Sequence, residues 1–443
     1  MARQQPRKLG PFLATLFVTG NMVGSGLFLL PATLGTLGGI SVFTWLLATA
    51  GALLIATVFA RLGVLAPWAG GPYAYARATL GRYMGFQTNY IYWLSCWVGN
   101  VGIALAVTGY ATELLPALKA PVLSVMTTSA VIWLMVGANI WGPRIVGGVE
   151  ATAMFIGLAP ALTLGVIGWA WFDPQIFWAS WNVSGRPVVE AVPASLILVF
   201  WAFTGLESAA VASEVVENPR RNLPIAVLGG VIIAAIVYMA SCTVLMGIVP
   251  AKELAESPAP FALVATRTLG PAAAIIIVFT TMLKAAGTHG GWTLVSAATA
   301  KAAAEDGSFP TLFARTDPRG IPVKSFLIHG ALMTIAAFAT MSPTIGQQFS
   351  KLIDVSVLFS MTAYLYSSIS LCRLRPLSLP GAKRDWAVAI LAGLFSIWVI
   401  VASDAELLVV AAAILVTSIP LYPFFKGTPG HRLPVEPVGI EAE

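Results

Sequence analysis

Apolar residues run in blocks of about 20, the length that crosses a hydrocarbon core, and short polar or Gly/Pro-rich connections separate the blocks from end to end. The pattern predicts twelve helical spans, over 11–31, 39–66, 85–115, 121–141, 148–172, 191–214, 223–249, 268–303, 322–342, 351–372, 386–403 and 405–425. The third and eighth exceed what a bilayer requires, which implies tilt or extension beyond it. Two spans are interrupted where lipid would demand an unbroken helix. The first carries Gly20-Asn21-Met22-Val23-Gly24-Ser25-Gly26 at its middle, and the sixth carries Trp201-Ala202-Phe203-Thr204-Gly205-Leu206-Glu207-Ser208. Backbone released from a helix at membrane depth is tolerated only where protein buries it or where it lines a cavity. Breaks in corresponding positions of two halves point to the binding site of a secondary transporter.

The breaks lie five spans apart. Because five is odd, a second copy of a five-span unit enters the membrane from the opposite side, giving an inverted repeat whose broken helices meet near the centre. The expected fold is an all-α integral membrane protein with one transporter domain, 11–425. Repeat 1 covers about 11–172 and repeat 2 about 191–372, with two further helices over about 386–425. Short tails, 1–10 and 426–443, flank it. Breaker chemistry at Gly70 to Arg77, Glu217 to Asn222 and Lys301 to Gly307 predicts turn or amphipathic segments on one membrane surface.

Composition agrees. Hydrophobic residues make up 58% of the chain and charged residues 10%, too little charge to cover a soluble protein of this size. The net charge of +6 changes meaning once it is placed on the spans. With both termini cytoplasmic, nineteen of the 25 Lys and Arg residues fall in the tails and cytoplasmic connections, against six elsewhere. That is a positive-inside pattern, and it argues against a nucleic-acid partner. The first span is too long for a cleavable signal peptide. Cys96, Cys242 and Cys372 suggest neither a disulfide framework nor a metal cluster. No HExxH or nucleophile–base pair argues for an enzyme, and no cofactor is implied.

The candidate chemistry gathers at the breaks. Glycines and Ser25 leave N–H groups at a half-helix end that suits a carboxylate, while freed carbonyls there and around Trp201 to Thr204 suit an ammonium. The plain alternative is close helix packing through small residues. Glu207, a carboxylate at mid-span, costs roughly 2.5–3.5 kcal/mol on insertion scales and normally faces a cavity or a partner. It reads as a counter-ion for a cationic substrate or a proton-operated gate. Trp201 and Trp292 lie away from the interfaces where tryptophan gathers, and each could cover a cation or simply pack. Trp292 follows Gly287-Thr288-His289-Gly290-Gly291, expected to be another loosened stretch. Tyr92, Cys96 and Asn100 share a face of span 3 at i, i+4, i+8 spacing. Lys284, Lys351 and Asp354 could pair at the outer ends of spans 8 and 10, and His289 could titrate near neutral pH.

In order along the chain, these motifs, with Gly71-Pro72-Tyr73-Ala74-Tyr75-Ala76-Arg77, Tyr92 to Asn100, Val216 to Ala226 and Gly290 to Leu294, resemble the amino acid–polyamine–organocation superfamily, in its basic amino acid/polyamine antiporter branch. The resemblance runs from about Leu9 to Tyr422. It implies a twelve-helix, five-plus-five fold in the bacterial cytoplasmic membrane, usually a homodimer, working by alternating access. It implies exchange of a cationic amino acid (arginine-like, or ornithine or lysine) for its decarboxylated amine. On matching positions, Asn21, Met22, Ser25 and Gly26, with Trp201 and Thr204, would hold the substrate's backbone charges. Ser95, Cys96 and Asn100 would meet the distal cation, and Trp292 and Ser356 its aliphatic stem. Trp201, Tyr92, Glu207 and Tyr364 would gate, with Glu207 proton-sensitive. Thr204, Lys284, His289 and Asp354 depart from the branch's pattern. The alternative function is a proton-coupled symporter or facilitator of neutral or broad-range amino acids.

Overall fold

A computed structural model describes residues 10–66, 71–208 and 216–425, so most of both predicted tails lies outside the described residues. The described chain is helical, in the order α1 Pro11–Met22, α2 Ser25–Gly35, α3 Ser41–Leu65, α4 Pro72–Leu80, α5 Arg82–Ala111, α6 Pro121–Trp141, α7 Pro143–Ile167, α8 Pro174–Ala179 and α9 Val188–Ala194. There follow α10 Leu196–Phe200, α11 Pro219–Ile248, α12 Ala251–Glu256, α13 Pro260–Thr268, α14 Pro271–Glu305, α15 Val323–Ala339, α16 Ile345–Leu374, α17 Ala382–Val401 and α18 Ala405–Leu421. Many open on proline, whose missing N–H costs nothing in the first turn. Among the described residues, eight helices are long and apolar enough to cross a membrane, and nine if α1 and α2 count as one bent span.

α5, α14 and α16 pack against one another's neighbours as the centre of the bundle, with α1, α3 and α11 on one side and α6 and α7 on another. α16 begins at Ile345, six residues before the predicted span, because the Thr344 side chain caps it by accepting from Gln347 N at 3.2 Å. The short α4 fills the connection predicted to be amphipathic.

The first break is narrower than the glycine pattern suggests. α1 holds to Met22, α2 starts at Ser25, and the two meet at 45°. Val23 and Gly24 alone leave helical geometry. The second break is more open: α10 tightens into a 3₁₀ turn over Trp201–Phe203 and becomes extended at Thr204. The stretch Gly287–Trp292, expected to be loosened, lies inside the continuous α14. Its glycines serve approach instead. A Cβ on Gly290 would lie 2.8 Å from a Val146 methyl, and Asn139 Nδ2 donates to the Gly290 carbonyl at 3.1 Å.

Candidate functional site

The two breaks, with α5, α14 and α16, enclose a small cavity of about 30 Å³. Each of Asn21, Met22, Ser25, Gly26, Ser95, Cys96, Asn100, Trp201, Thr204, Trp292 and Ser356 lines it, as do Tyr92 and Glu207. Gly24, Ile103, Thr288 and Ser360 complete the wall. Gly24 and Thr288 fall in stretches the sequence had singled out, whereas Ile103 and Ser360 are of types common in membrane helices and nothing in the sequence distinguished them. The breaks touch closely. A Cβ on Gly26 would lie 3.2 Å from Ala202 Cα, so a larger residue would push the half-helices apart. Trp201 lies across the cavity. Its Nε1 donates to Ser25 Oγ at 3.2 Å, and a Cβ on Gly99 would come within 2.6 Å of its indole.

Glu207 is 1% exposed and has three donors. Tyr92 OH reaches Oε1 at 2.7 Å, Tyr364 OH reaches Oε2 at 2.6 Å, and Gly205 N reaches Oε2 at 3.1 Å. Tyr364 does not line the cavity; it acts on it through this contact. Gly205 has φ +98°, a conformation only glycine adopts without strain, and it turns its N–H back onto the carboxylate. A carboxylate offers about four lone-pair sites, so one acceptor position remains.

Several freed carbonyls already have donors of the protein's own. Tyr238 OH, from α11, lies 2.9 Å from Met22 O and 3.1 Å from Ala202 O, joining the two breaks. Thr204 Oγ1 donates to Trp201 O at 2.7 Å. Lys284 Nζ donates to Thr288 Oγ1 at 2.9 Å and approaches Gly20 O at 3.4 Å. A donor at the carbonyl end of α1 also suits the negative pole of that half-helix. Tyr238 escaped the sequence reading because a lone tyrosine in an apolar span carries no spacing signal.

The Tyr92, Cys96, Asn100 stripe does face the cavity. Asn100 Nδ2 is held by His289 O at 3.1 Å and Thr293 Oγ1 at 2.8 Å, while its Oδ1 has no partner among the described residues. The amide is thereby oriented with its acceptor uncommitted. His289 sits behind Asn100, not on the cavity wall. Its Nδ1 donates to Asn100 O at 3.0 Å, and its Nε2 has no partner among the described residues. Ser95 and Ser356 exchange hydrogen bonds, each hydroxyl reaching the other's carbonyl at 2.8 Å, and so clasp α5 to α16. The predicted pairing of Lys284, Lys351 and Asp354 does not form as an ion pair with Asp354 among the described residues. Lys284 turns to the first break and Lys351 is exposed.

A larger space, about 390 Å³, continues from the cavity past Phe17, Tyr73 and Ala302, toward the end of the bundle where α4 lies. Asn21, Tyr92, Glu207 and Trp292 border both spaces. At the opposite end, Phe28, Tyr110 and Phe261 fill the core edge to face.

A polar cavity built on broken helices midway through a bundle of membrane-length apolar helices, with a vestibule leading to one end, defines a multi-pass membrane transporter and not an enzyme. The chain belongs to the amino acid permease family, whose profile matches residues 9–419. Curated relatives agree. The chain is 34% identical over 425 residues to the putrescine transporter PotE of Escherichia coli K12, covering 95% of this chain and 97% of that one. It is 33% identical over 420 residues to PotE of Haemophilus influenzae, covering 94% and 97%. It is 35% identical over 372 residues to the cadaverine/lysine antiporter of E. coli K12, covering 83% and 84%.

Proposed function

We propose that the chain exchanges a cationic amino acid (lysine, ornithine or arginine) for its decarboxylated amine (cadaverine, putrescine or agmatine) by alternating access. One observation carries this reading beyond the relatives' names: among the described residues lining the central cavity the single acidic side chain is Glu207, on a wall it shares with Trp201 and Trp292. Such a site favours a cation. In this reading the first break and Trp201–Thr204 hold the substrate's α-carboxylate and ammonium, Cys96 and the free Oδ1 of Asn100 meet the distal cation, and Trp292 and Ser356 flank the stem. Trp201 closes over the substrate, and Glu207 with Tyr92 and Tyr364 gates the way to the vestibule. His289 acts through Asn100.

The fold underlying this function is a twelve-span, five-plus-five inverted repeat. The eight long helices, the bent α1–α2 pair and three shorter apolar helices, at 156–171, 188–203 and 323–339, supply twelve, and the paired breaks support the repeat. The domain is 11–425, both termini are cytoplasmic, the membrane is the bacterial inner one and the protein is a homodimer. The vestibule then faces the cytoplasm.

Proteoliposomes test the function. Vesicles loaded with unlabelled lysine, ornithine or arginine should take up the labelled amino acid, and internal cadaverine, putrescine or agmatine should stimulate uptake. Exchanging a +1 amino acid for a +2 amine exports one charge, costing about 2.3 kcal/mol per 100 mV against an interior-negative potential. An imposed interior-positive potential should therefore speed the exchange. Trp292→Ala should weaken apparent affinity about tenfold, within the range of a partly desolvated cation–π contact. Glu207→Gln should remove the pH dependence. Uptake of neutral amino acids driven by a proton gradient, without amine counter-flow, would replace this reading with symport.

A further inference from the structure

The vestibule contains two polar side chains that the transport reading has not used. Asn89 lies on α5, 1% exposed, and neither its Oδ1 nor its Nδ2 has a hydrogen-bond partner among the described residues. Ser208 follows the second break, and its hydroxyl is likewise buried and without a partner among the described residues. Both residues line the larger space and neither lines the central cavity. The surrounding wall is mostly apolar, with Phe17, Leu294, Val295 and Ala298, and Glu207 is the one charged residue among the described residues that line it. Buried polar groups left unmade are costly, and two of them beside a shared carboxylate mark a place built for a polar guest.

Asn89 also extends the functional stripe of α5. It stands three residues before Tyr92, about 4.5 Å nearer the α4 end at helical rise. With no cationic side chain among the described residues that line the vestibule, the amide oxygen of Asn89, the Ser208 hydroxyl and the remaining acceptor position on Glu207 suit a primary ammonium. A second binding site is distinct from the central one if it can be reached from one face alone, and this one borders only the vestibule.

We propose that Asn89 and Ser208, with the Glu207 carboxylate at the inner edge, form a second subsite that takes one primary ammonium end of an alkyl diamine as it passes between the vestibule and the central cavity. The subsite raises the amine's occupancy on the vestibule side before Glu207 releases it inward. Because Asn89 touches only the vestibule, its loss acts on one face of the membrane. The proposal rests on the exchanger reading.

The test uses the full chain in oriented proteoliposomes, with labelled putrescine and cadaverine as probes presented at either face. Asn89→Leu keeps a branched side chain of the same number of heavy atoms and removes the polar ones. The half-saturating amine concentration at the vestibule face should rise about tenfold or more, the lower worth of one hydrogen bond to a charged group, and change less than about twofold at the other face. Ser208→Ala should shift the same face in the same direction by a smaller factor, and it serves if Asn89→Leu fails to fold. Asn89→Asp, which offers the ammonium a carboxylate, should restore or exceed wild-type affinity there. Equal shifts at both faces, or none in either variant, would overturn the subsite. Wild-type protein that moves neither amine would instead overturn the exchanger reading on which it rests.

Discussion

At the end of the bundle where α4 lies, long charged side chains reach between helices. Arg77, from α4, meets Asp306 just past α14 at 2.8 Å, and the Tyr73 hydroxyl donates to the same carboxylate. Arg61 forks onto Asp385 through Nε and Nη2 at 2.8 and 2.9 Å, and Arg375 joins at 2.9 Å, so α3, α16 and α17 share one acid. At the opposite end, the rings of Phe28, Tyr110 and Phe261 stand 5.8 to 6.1 Å apart at steep angles. There Tyr110 OH donates to Phe28 O at 3.1 Å. The contrast explains why the vestibule lies at one end. Ion pairs fasten helices at points and leave space between them, whereas interlocked rings fill it. Opening the ring end means unpacking a core; at the α4 end the space is already there between the clasps.

The strongest way to break this contrast is to remove the acid that serves two arginines. Asp385→Ala leaves Arg375, 9% exposed, and Arg61 without their shared counter-ion, a loss of about 3–5 kcal/mol when a buried pair is broken on one side. Thermal unfolding in detergent should fall by many degrees, while the half-saturation for substrate in the surviving protein stays within about twofold, since this cluster touches neither cavity. An unchanged unfolding temperature would mean that the clasp is solvated and the end is held by packing alone. At the other end, Phe261→Ala removes a fully buried ring and costs about 3 kcal/mol where the core does not collapse. Its signature differs from that of Asp385→Ala. Cys96, on the cavity wall, should become reactive to membrane-impermeant thiol reagents added at the ring end. No gain in labelling would show that the seal there is made elsewhere.

Much of this arrangement is legible in residue spacing. Block lengths located the long helices, with α6 ending where its apolar run ends, and the period of α5 put Tyr92, Cys96 and Asn100 on one face. Asn89 belongs to that stripe and was passed over because a polar residue near a helix end also reads as surface. What spacing cannot show is which helices meet. That is why the Gly287–Trp292 run reads as a break when it is a contact face for α6 and α7, and why Tyr238, which joins Met22 to Ala202 from a third helix, left no trace. Charge is equally ambiguous in one dimension. Lys284 and Asp354 look like a pair because both interrupt apolar runs, yet Lys284 Nζ reaches the Gly20 carbonyl at the first break and Thr288 on its own helix.

The smallest effect separates a clasp made of backbone from those made of arginine. Asp317, in the connection from α14 to α15, accepts from Ile321 N and Arg319 N at 2.9 Å each and from Arg319 Nε at 2.8 Å. Arg319 in turn donates to Ile140 O and Trp141 O at the end of α6. The Ile321 N–H above all, then the side chain and N–H of Arg319, hold the Asp317 carboxyl below its ordinary value of 3.8. The sign follows from linkage. A group whose folded pKa is depressed contributes its full stabilisation above the unfolded value, and loses it as pH falls through the folded one. Ile321 amide exchange, corrected for its intrinsic pH dependence, should therefore stay protected from neutral pH to about 4 and lose protection below it. Asp317→Asn should be less protected across the whole range. Wild-type protection that persists well below pH 3 would mean that the turn, and not the carboxylate, holds this amide, leaving the α4 end fastened by its arginine clasps alone.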